Sequence, residues 1–342
     1  MKEYLVIRVL GEDSIYLQRP KIYNNIEVGN FDRLRANEKE ILYKSLESFN
    51  EYLKENEIKD ITRQIVTIIV KAENIKEADE ISEKLILELL DLIDFVSIGL
   101  GNTTIMKAGY IKDLEEDQYY YRSDLSLKYP LSMLATNNEM VWNVDSIHIN
   151  LIINENNEFF KEIQKWSHWR RILKSENNPH IKLLMYWFAL EGIIKVNEED
   201  QIISKIMRII GFVQGTLGRD INRELAKSIT NQENYKEKRT KINNMLEKIR
   251  IKRNDTVHQS MQTYLNITSE LQKELSLLEF INETLNAFLH KALEKNVSSK
   301  KEFWDEFPKI FEEIYMEKYR IDDDVILTEY YHFDKISYIK SE

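Results

Sequence analysis

The sequence has no cysteine, and it is poor in glycine and proline, with 9 and 4 residues. The lack of cysteine excludes a disulfide scaffold, a thiolate nucleophile and every cysteine-based zinc or iron–sulfur site. It also fits a reducing compartment, so we expect the protein in the cytoplasm. The low glycine and proline content excludes collagen-like and low-complexity classes of protein.

Long apolar runs are missing as well, since no stretch approaches the roughly 18 residues that a membrane-spanning helix needs. The opening residues MKEYLVIRVL contain no basic segment followed by a signal-like apolar stretch. We therefore expect no membrane partner and no targeting segment. No two of the 6 histidines have the three- to five-residue spacing that places two imidazoles on one helical face. The sequence predicts neither a metal site nor a cofactor.

The first part of the chain mixes two kinds of pattern. The whole chain has 342 residues, which is more than one hydrophobic core usually absorbs and indicates at least two domains. Short β-branched runs predict strands, and apolar residues at three- and four-residue steps predict amphipathic helices. The predicted strands are 4–10, 65–70, 95–100 and 146–150, and the predicted helices are 37–54 and 76–94. We interpret residues 1–157 as a mixed α/β domain with a sensor or regulatory role.

The second part shows only helical periodicity, so we expect residues 158–297 to form a helical bundle and the whole chain to be α+β. Asn178 and Pro179 are typical of a helix start, and the helix that follows, 181–194, is apolar almost all round and should be central. Further helices are predicted at 202–213, 236–257 and 264–293. Residues 298–342 are rich in aromatic side chains, which predicts a folded C-terminal extension.

The net charge of −10 hides one basic segment. Between residues 236 and 253, only Glu237 and Glu247 are acidic. The basic residues of this segment are Lys236, Lys238, Arg239, Lys241, Lys248, Arg250, Lys252 and Arg253. Such a run is typical of a surface that binds nucleic acid, and a solvated helix face is the alternative.

Two charged residues stand where the apolar pattern expects packing. The stripe Ile242, Leu246, Ile249 continues, four residues on, to Arg253. Glu191 lies within the apolar helix 181–194. A buried charge is costly unless it is paired, so Glu191 is the candidate partner of Arg253 from a neighbouring helix.

The segment Arg253-Asn254-Asp255-Thr256-Val257-His258 resembles the R-x4–6-H signature of HEPN-superfamily ribonucleases. The apolar helix 180–191 is similar to the opening helix of the Apea-like HEPN branch, and the resemblance covers residues 160–295 or so. HEPN toxins that are silenced by tyrosine nucleotidylation carry Tyr two residues after the histidine. Here that position is Ser260, which argues against such a toxin–nucleotidyltransferase pairing.

The resemblance implies a metal-independent endoribonuclease whose site is composed of motifs from two protomers, and hence a homodimer. His258 would transfer protons, Arg253 would bind the phosphate, and Asn254 would orient either one. Glu191 would support Arg253. The basic residues expected to bind RNA are Lys236, Lys238, Arg239, Lys241, Lys248, Arg250 and Lys252. The family link implies antiphage defence by abortive infection, with a phage-derived or small-molecule trigger.

Two structural interpretations stay open from sequence. Arg253 and Glu191 can form a purely structural pair, and His258 can be an ordinary helix C-terminal residue favoured by the helix dipole. The alternative function is a non-catalytic HEPN module that binds RNA or a protein partner. Catalysis requires Arg253 and His258 to open onto a shared cleft, whereas a binding module can bury either one.

Overall fold

The structure, a computed structural model, divides into two compact units, residues 1–153 and 154–342. The division lies close to the boundary predicted after residue 157. The described residues are 1–10, 20–30, 34–45, 64–96, 105–122, 157–176, 178–213, 215, 217–232, 234–258 and 269–319. The first unit contains a sheet and helices and the second is helical in its described part, so the protein is α+β as predicted.

The first unit is built on a six-stranded antiparallel sheet. Its strands are β1 (Lys2–Leu10), β2 (Lys21–Tyr23), β3 (Ile26–Asn30), β4 (Gln64–Ala72), β5 (Ile105–Asp113) and β6 (Gln118–Arg122). Their order across the sheet is β2-β3-β4-β1-β5-β6. Strand β1 is central, with Tyr4 paired to Val70 on one side and to Asp113 on the other.

Helices cover both faces of β1. Helix α1 (Ala36–Ser45) places Leu42 in a core cluster with Ile7 and Val9. Arg8 points to the other face, because successive strand residues alternate, and its guanidinium bonds to Asp79 of helix α2 (Ile75–Val96). Burial from both sides explains why β1 reads as a nearly continuous apolar run and not as an alternating one.

Most sequence predictions for this unit that fall on described residues are confirmed. Strands 4–10 and 65–70 and helix 76–94 are present, and helix 37–54 is present up to residue 45. The strand predicted at 95–100 is wrong at its start, since Phe95 and Val96 form the last turn of α2. Phe95 is fully buried there, so the apolar run continues the packed face of a helix. Residues 46–54, 97–100 and 146–150 lie outside the described residues.

The second unit contains eight described helices. They are α3 (Glu158–Ser175), α4 (Pro179–Ile194), α5 (Ile202–Ile209), α6 (Leu217–Asp220), α7 (Arg223–Thr230), α8 (Tyr235–His258), α9 (Ser269–Glu294) and α10 (Lys300–Tyr319). Helix α4 packs against α3, α5 and α9, which confirms its predicted central position. The predicted start is also present, because the Asn178 side chain accepts hydrogen bonds from the backbone N–H groups of His180 and Ile181.

Helix α10 completes the bundle with aromatic side chains. Phe307 stacks on Phe288 of α9 with ring centroids 4.9 Å apart, and Phe303 stacks on Phe159 of α3 at 5.4 Å. The predicted C-terminal extension is therefore folded onto the bundle over residues 300–319, and residues 320–342 lie outside the described part. Within the described helices, none combines the length and apolar character needed to cross a bilayer.

We predict that Gly109→Ala strongly destabilises the first unit. Gly109 pairs with Arg8 where the β1–β5 register shifts, and a Cβ there would lie 2.0 Å from the Ile7 carbonyl oxygen. The strands would have to separate, at a cost of about 1 to 3 kcal/mol, measurable by urea denaturation. The control is Gly192→Ala in α4, where a Cβ meets no described atom within 4 Å and alanine should be neutral or stabilising. Equal stability of the parent and Gly109→Ala would contradict the prediction.

Candidate functional site

A cleft of about 690 Å³ lies in the helical unit, between the end of α4, helix α5 and helix α8. Its size is that of a small-ligand pocket. Charged side chains dominate its lining, with five cations and three carboxylates. The cations are Lys195, Arg208, Arg239, Arg250 and Arg253, and the carboxylates are Glu191, Asp200 and Glu247. The cleft therefore carries a positive excess in a chain whose net charge is negative.

Helices α5 and α8 form antiparallel walls of this cleft. Just beyond the end of α5, Phe212 contacts the ring of Tyr235 at the start of α8, with centroids 5.4 Å apart. The Tyr235 hydroxyl also donates to the Val213 carbonyl oxygen at 3.1 Å. Arg208 in the last turn of α5 and Arg239 in the second turn of α8 both line the cleft.

Arg253 lies at the opposite end of the cleft from Arg239, about 21 Å along α8 at 1.5 Å per residue. Its Nη2 donates to Glu191 Oε2 at 2.8 Å, and its Nη1 donates to Asn254 Oδ1 at 3.0 Å. The guanidinium also lies over the Phe188 ring, 5.0 Å from the centroid. The side chain of Arg253 is 26% exposed, so it is anchored without being sealed in the core.

Glu191 is the partner predicted for Arg253, the residue that interrupts the apolar stripe of α8. Its second oxygen, Oε1, lies 3.3 Å from Lys195 Nζ, so one carboxylate is shared by two cations. Each Nη of Arg253 carries two N–H groups and makes one hydrogen bond within the described part of the chain. Donors thus remain for an anion in the cleft. The Arg253 Nε is buried and has no hydrogen-bond partner among the described residues.

The second residue of the signature is placed only by its backbone. Helix α8 is continuous to His258, but the side chain of His258 lies outside the described part of the structure. Five residues of unbroken helix put the positions of Arg253 and His258 about 140° apart around the axis. Asn254 follows Arg253 directly and also lines the cleft.

The predicted RNA-binding residues do not share one face of α8. Arg239 and Arg250 line the cleft with Arg253, and Arg250 also bonds to Glu247 at 2.8 Å. Lys236 is exposed in the first turn.

The other lysines of the basic segment lie on the flank of α8 away from the cleft. Lys248 bonds to Glu270 of α9 at 3.0 Å, and Lys252 bonds to the fully buried Glu274 at 2.6 Å. Helical spacing puts Lys238 and Lys241 on this same flank. Part of the basic segment therefore ties α8 to α9.

Sequence reasoning missed several polar residues of the cleft, among them Lys195, Asp200, Arg208 and Asn243. Arg208 stands in the last turn of α5, a short helix with one strongly apolar side. Its polar position is visible in the sequence, but nothing in the sequence shows that Arg208 lines a cleft with Arg239. That cleft depends on the packing of α5 on α8, to which the contact between Phe212 and Tyr235 contributes.

The loop between α4 and α5 is held by one carboxylate. Asp200 Oδ2 accepts hydrogen bonds from Lys205 Nζ at 2.6 Å and from the backbone N–H groups of Val196 and Asn197 at 2.7 and 3.1 Å. The Lys205 ammonium, followed by the two N–H groups, lowers the pKa of Asp200 to about 2. Lys205 also donates to the Ile194 carbonyl oxygen, which connects the loop to the end of α4.

No set of three or more histidines and carboxylates within the described ranges could hold a metal ion. Comparisons of the chain with protein-family models, with curated proteins and with solved structures found no match.

We predict that Asp200→Asn destabilises the helical unit by about 1 to 2 kcal/mol at neutral pH, because a charged acceptor of three hydrogen bonds is lost. The folded pKa of Asp200, about 2, is below the ordinary value of 3.8. Its stabilisation is therefore complete above pH 4 and disappears as the pH falls toward 2. Unfolding free energies of parent and variant, measured by denaturant titration across this range, should converge in acid. A difference that does not depend on pH would contradict this assignment.

Proposed function

We propose that the protein is a metal-independent endoribonuclease of the HEPN type, acting through Arg253 and His258. One observation carries the proposal. Arg253 is held by Glu191 and Asn254 at one end of a cleft that four other cations also line. An anchored guanidinium that keeps N–H donors available is suited to a phosphodiester.

The proposed reaction is an internal transfer in RNA. The 2′-oxygen attacks the adjacent phosphorus, a bond from the 2′-oxygen to phosphorus forms, and the bond from phosphorus to the 5′-oxygen breaks. A base takes the proton from the 2′-hydroxyl, and an acid gives a proton to the departing 5′-oxygen. The products are a 2′,3′-cyclic phosphate and a 5′-hydroxyl. Histidine, with an ordinary pKa of about 6.5, suits both proton transfers near neutral pH.

Arg253 would bind the non-bridging oxygens and stabilise the negative charge that grows on them in the transition state. Glu191 is then a positioning residue, which holds the guanidinium in place before RNA arrives. Because Lys195 shares the Glu191 carboxylate, the pair of cations is not fully neutralised and retains affinity for an anion. Asn254 would orient the guanidinium or the phosphate.

A homodimer would complete the site. The unbroken α8 separates the positions of Arg253 and His258 by about 140°, which does not favour their joint action on one phosphate within a protomer. In a dimer, Arg253 of one protomer would act on the same phosphate as His258 of the other.

The biological setting follows from the family resemblance alone. We propose a cytoplasmic nuclease of antiphage defence that causes abortive infection. In this proposal the sheet unit has a sensor or regulatory role and responds to a phage-derived or small molecule.

The second candidate is a non-catalytic HEPN module that binds RNA or a protein. The pairing of Arg253 with Glu191 favours it, because an ion pair between two packed helices needs no reaction to explain it. The exposure of Arg253 to the cleft favours the nuclease. The two candidates differ in whether RNA is cut.

We predict that the protein cuts RNA in the presence of EDTA and leaves 2′,3′-cyclic phosphate ends. Arg253→Ala and His258→Ala should each reduce the cleavage rate at least about hundredfold, because transition-state stabilisation and proton transfer are lost. Gel analysis of a mixed RNA pool, with end-group mapping, measures this. Arg223→Ala, an exposed arginine of α7 away from the cleft, is the control. Cleavage that persists in both folded variants would refute these roles.

We also predict that the two inactive variants restore activity when mixed. If one site combines Arg253 of one protomer with His258 of the other, half of the randomly paired dimers hold one intact site. The mixture should then reach about a quarter of the parent rate. Cleavage rates measured after co-refolding test this, with each variant refolded alone as the control. A mixture no more active than the single variants would argue for a site within one protomer.

A further inference from the structure

Helix α4 exposes one aromatic side chain beside Arg253. Tyr186 and Trp187 are buried in the bundle, whereas Phe188, the next residue, is 39% exposed. The Arg253 guanidinium lies over the Phe188 ring, with its carbon 5.0 Å from the ring centroid. An exposed phenyl ring forgoes part of the free energy that burial of its apolar area would give. An uncovered part of the ring thus lies next to the residue proposed to bind phosphate.

Open space borders this ring along the same face of α4. Gly192 follows Phe188 by four residues, so the two positions are neighbours about one turn apart on the helix surface. A Cβ built at Gly192 meets no atom within 4 Å in the described part of the chain. Gly192 is itself exposed. Phe188 and Gly192 therefore border a notch, in which a flat group has room to lie against the ring.

The charges beside the notch indicate the chemistry of its ligand. Arg253 and Lys195 share the Glu191 carboxylate, so this end of α4 keeps a positive excess. A ligand that carries both an anion and a flat ring matches the cations and the phenyl ring together. A nucleotide has this combination, because a single ribose joins its base to its phosphate. A phosphate at Arg253 therefore brings a base within reach of the Phe188 ring, 5.0 Å from the guanidinium.

We propose that Phe188 is a base-stacking residue, which holds in the notch beside Gly192 the base of a nucleotide whose phosphate binds Arg253. The assignment of that nucleotide to RNA rests on the proposed function, whereas stacking is a matter of binding and does not require cleavage. A base inside a duplex is covered by its neighbours, so the notch selects single-stranded RNA. Every base has a π face, so stacking adds affinity without a strict sequence requirement.

The test uses a fluorescent 2′-O-methyl RNA decamer, which cannot be cut because it has no free 2′-hydroxyl. Anisotropy titrations at several salt concentrations compare the parent with two variants of the full chain. Phe188→Leu keeps an apolar side chain but removes the stacking surface, and Gly192→Leu keeps the ring but fills the notch. Each should weaken binding about five- to tenfold, the lower part of the range for one lost base–aromatic stack. The slope of log affinity against log salt should not change, because no phosphate contact is lost.

Two controls accompany these titrations. Trp169 of α3 is 44% exposed and presents a comparable aromatic surface on another helix. Trp169→Leu should therefore bind the decamer with the parent's affinity within twofold. A decamer of abasic units has the same backbone charge and no bases, so the parent, Phe188→Leu and Gly192→Leu should bind it equally.

Several results would overturn the proposal. Both variants could bind the RNA decamer with the parent's affinity, or Trp169→Leu could lose as much as they do. An equal loss on the abasic decamer, or a salt slope reduced by about 0.7 in Phe188→Leu, would show that Phe188 acts only by holding Arg253. A lower sedimentation coefficient of both variants without RNA would make the notch a contact between copies of this chain.

Cleavage of unmodified RNA separates this inference from the proposed function. Decamer binding that depends on Phe188 and on an open Gly192 position, without cleavage that depends on Arg253, would support base stacking and refute the nuclease. Cleavage that depends on Arg253, with decamer binding unchanged in Phe188→Leu and Gly192→Leu, would support the nuclease and refute base stacking.

Discussion

The ion pair between Glu191 and Arg253 is the interaction on which the rest of the cleft depends. It joins the last turns of α4 to the C-terminal part of α8. The attraction between the two charges offsets the desolvation cost of placing a charge on each of two packed helices. Removing Glu191 would take away the carboxylate that Arg253 bonds to, whereas removing Arg253 would leave Glu191 paired with Lys195. The pair also fixes the direction of the guanidinium, because Asn254 and the Phe188 ring contact the same group. The end of the cleft is thus shaped by packing before any ligand enters.

The central position of α4 explains why this pair lies where it does. Helix α4 is apolar on almost every side because it contacts α3, α5 and α9, and a carboxylate within it has few places to reach a cation. Glu191 stands in its last turn, where α8 passes and where Lys195 follows at the C-cap. The Asp200 loop then turns the chain directly into α5, the second wall of the cleft.

Sequence patterns predicted the local features and the pairing, because both depend on periodicity. The cap at Asn178, the central helix and the break in the α8 stripe at Arg253 are all visible in spacing. The cleft itself was not predictable in this way, since it depends on the antiparallel packing of α5 on α8 through Phe212. The sequence predicts one RNA-binding surface from the basic segment, yet Lys248 and Lys252 bond to α9. The reason is that charges spaced along 18 residues spread around a helix. In the sheet unit, the buried Phe95 extends a helix where its β-branched neighbours indicated a strand.

A structural role and a phosphate-binding role for Arg253 do not compete in this arrangement. A single carboxylate serves both Arg253 and Lys195, so the cluster keeps a net positive charge after the ion pair has formed. The guanidinium has five N–H donors, and its hydrogen bonds to Glu191 and Asn254 occupy only part of them. Holding the group in advance reduces the entropy that an anion would otherwise have to offset on binding. The same contact that allows α4 and α8 to pack therefore prepares the cleft for a phosphate, and stability and ligand binding favour the same geometry.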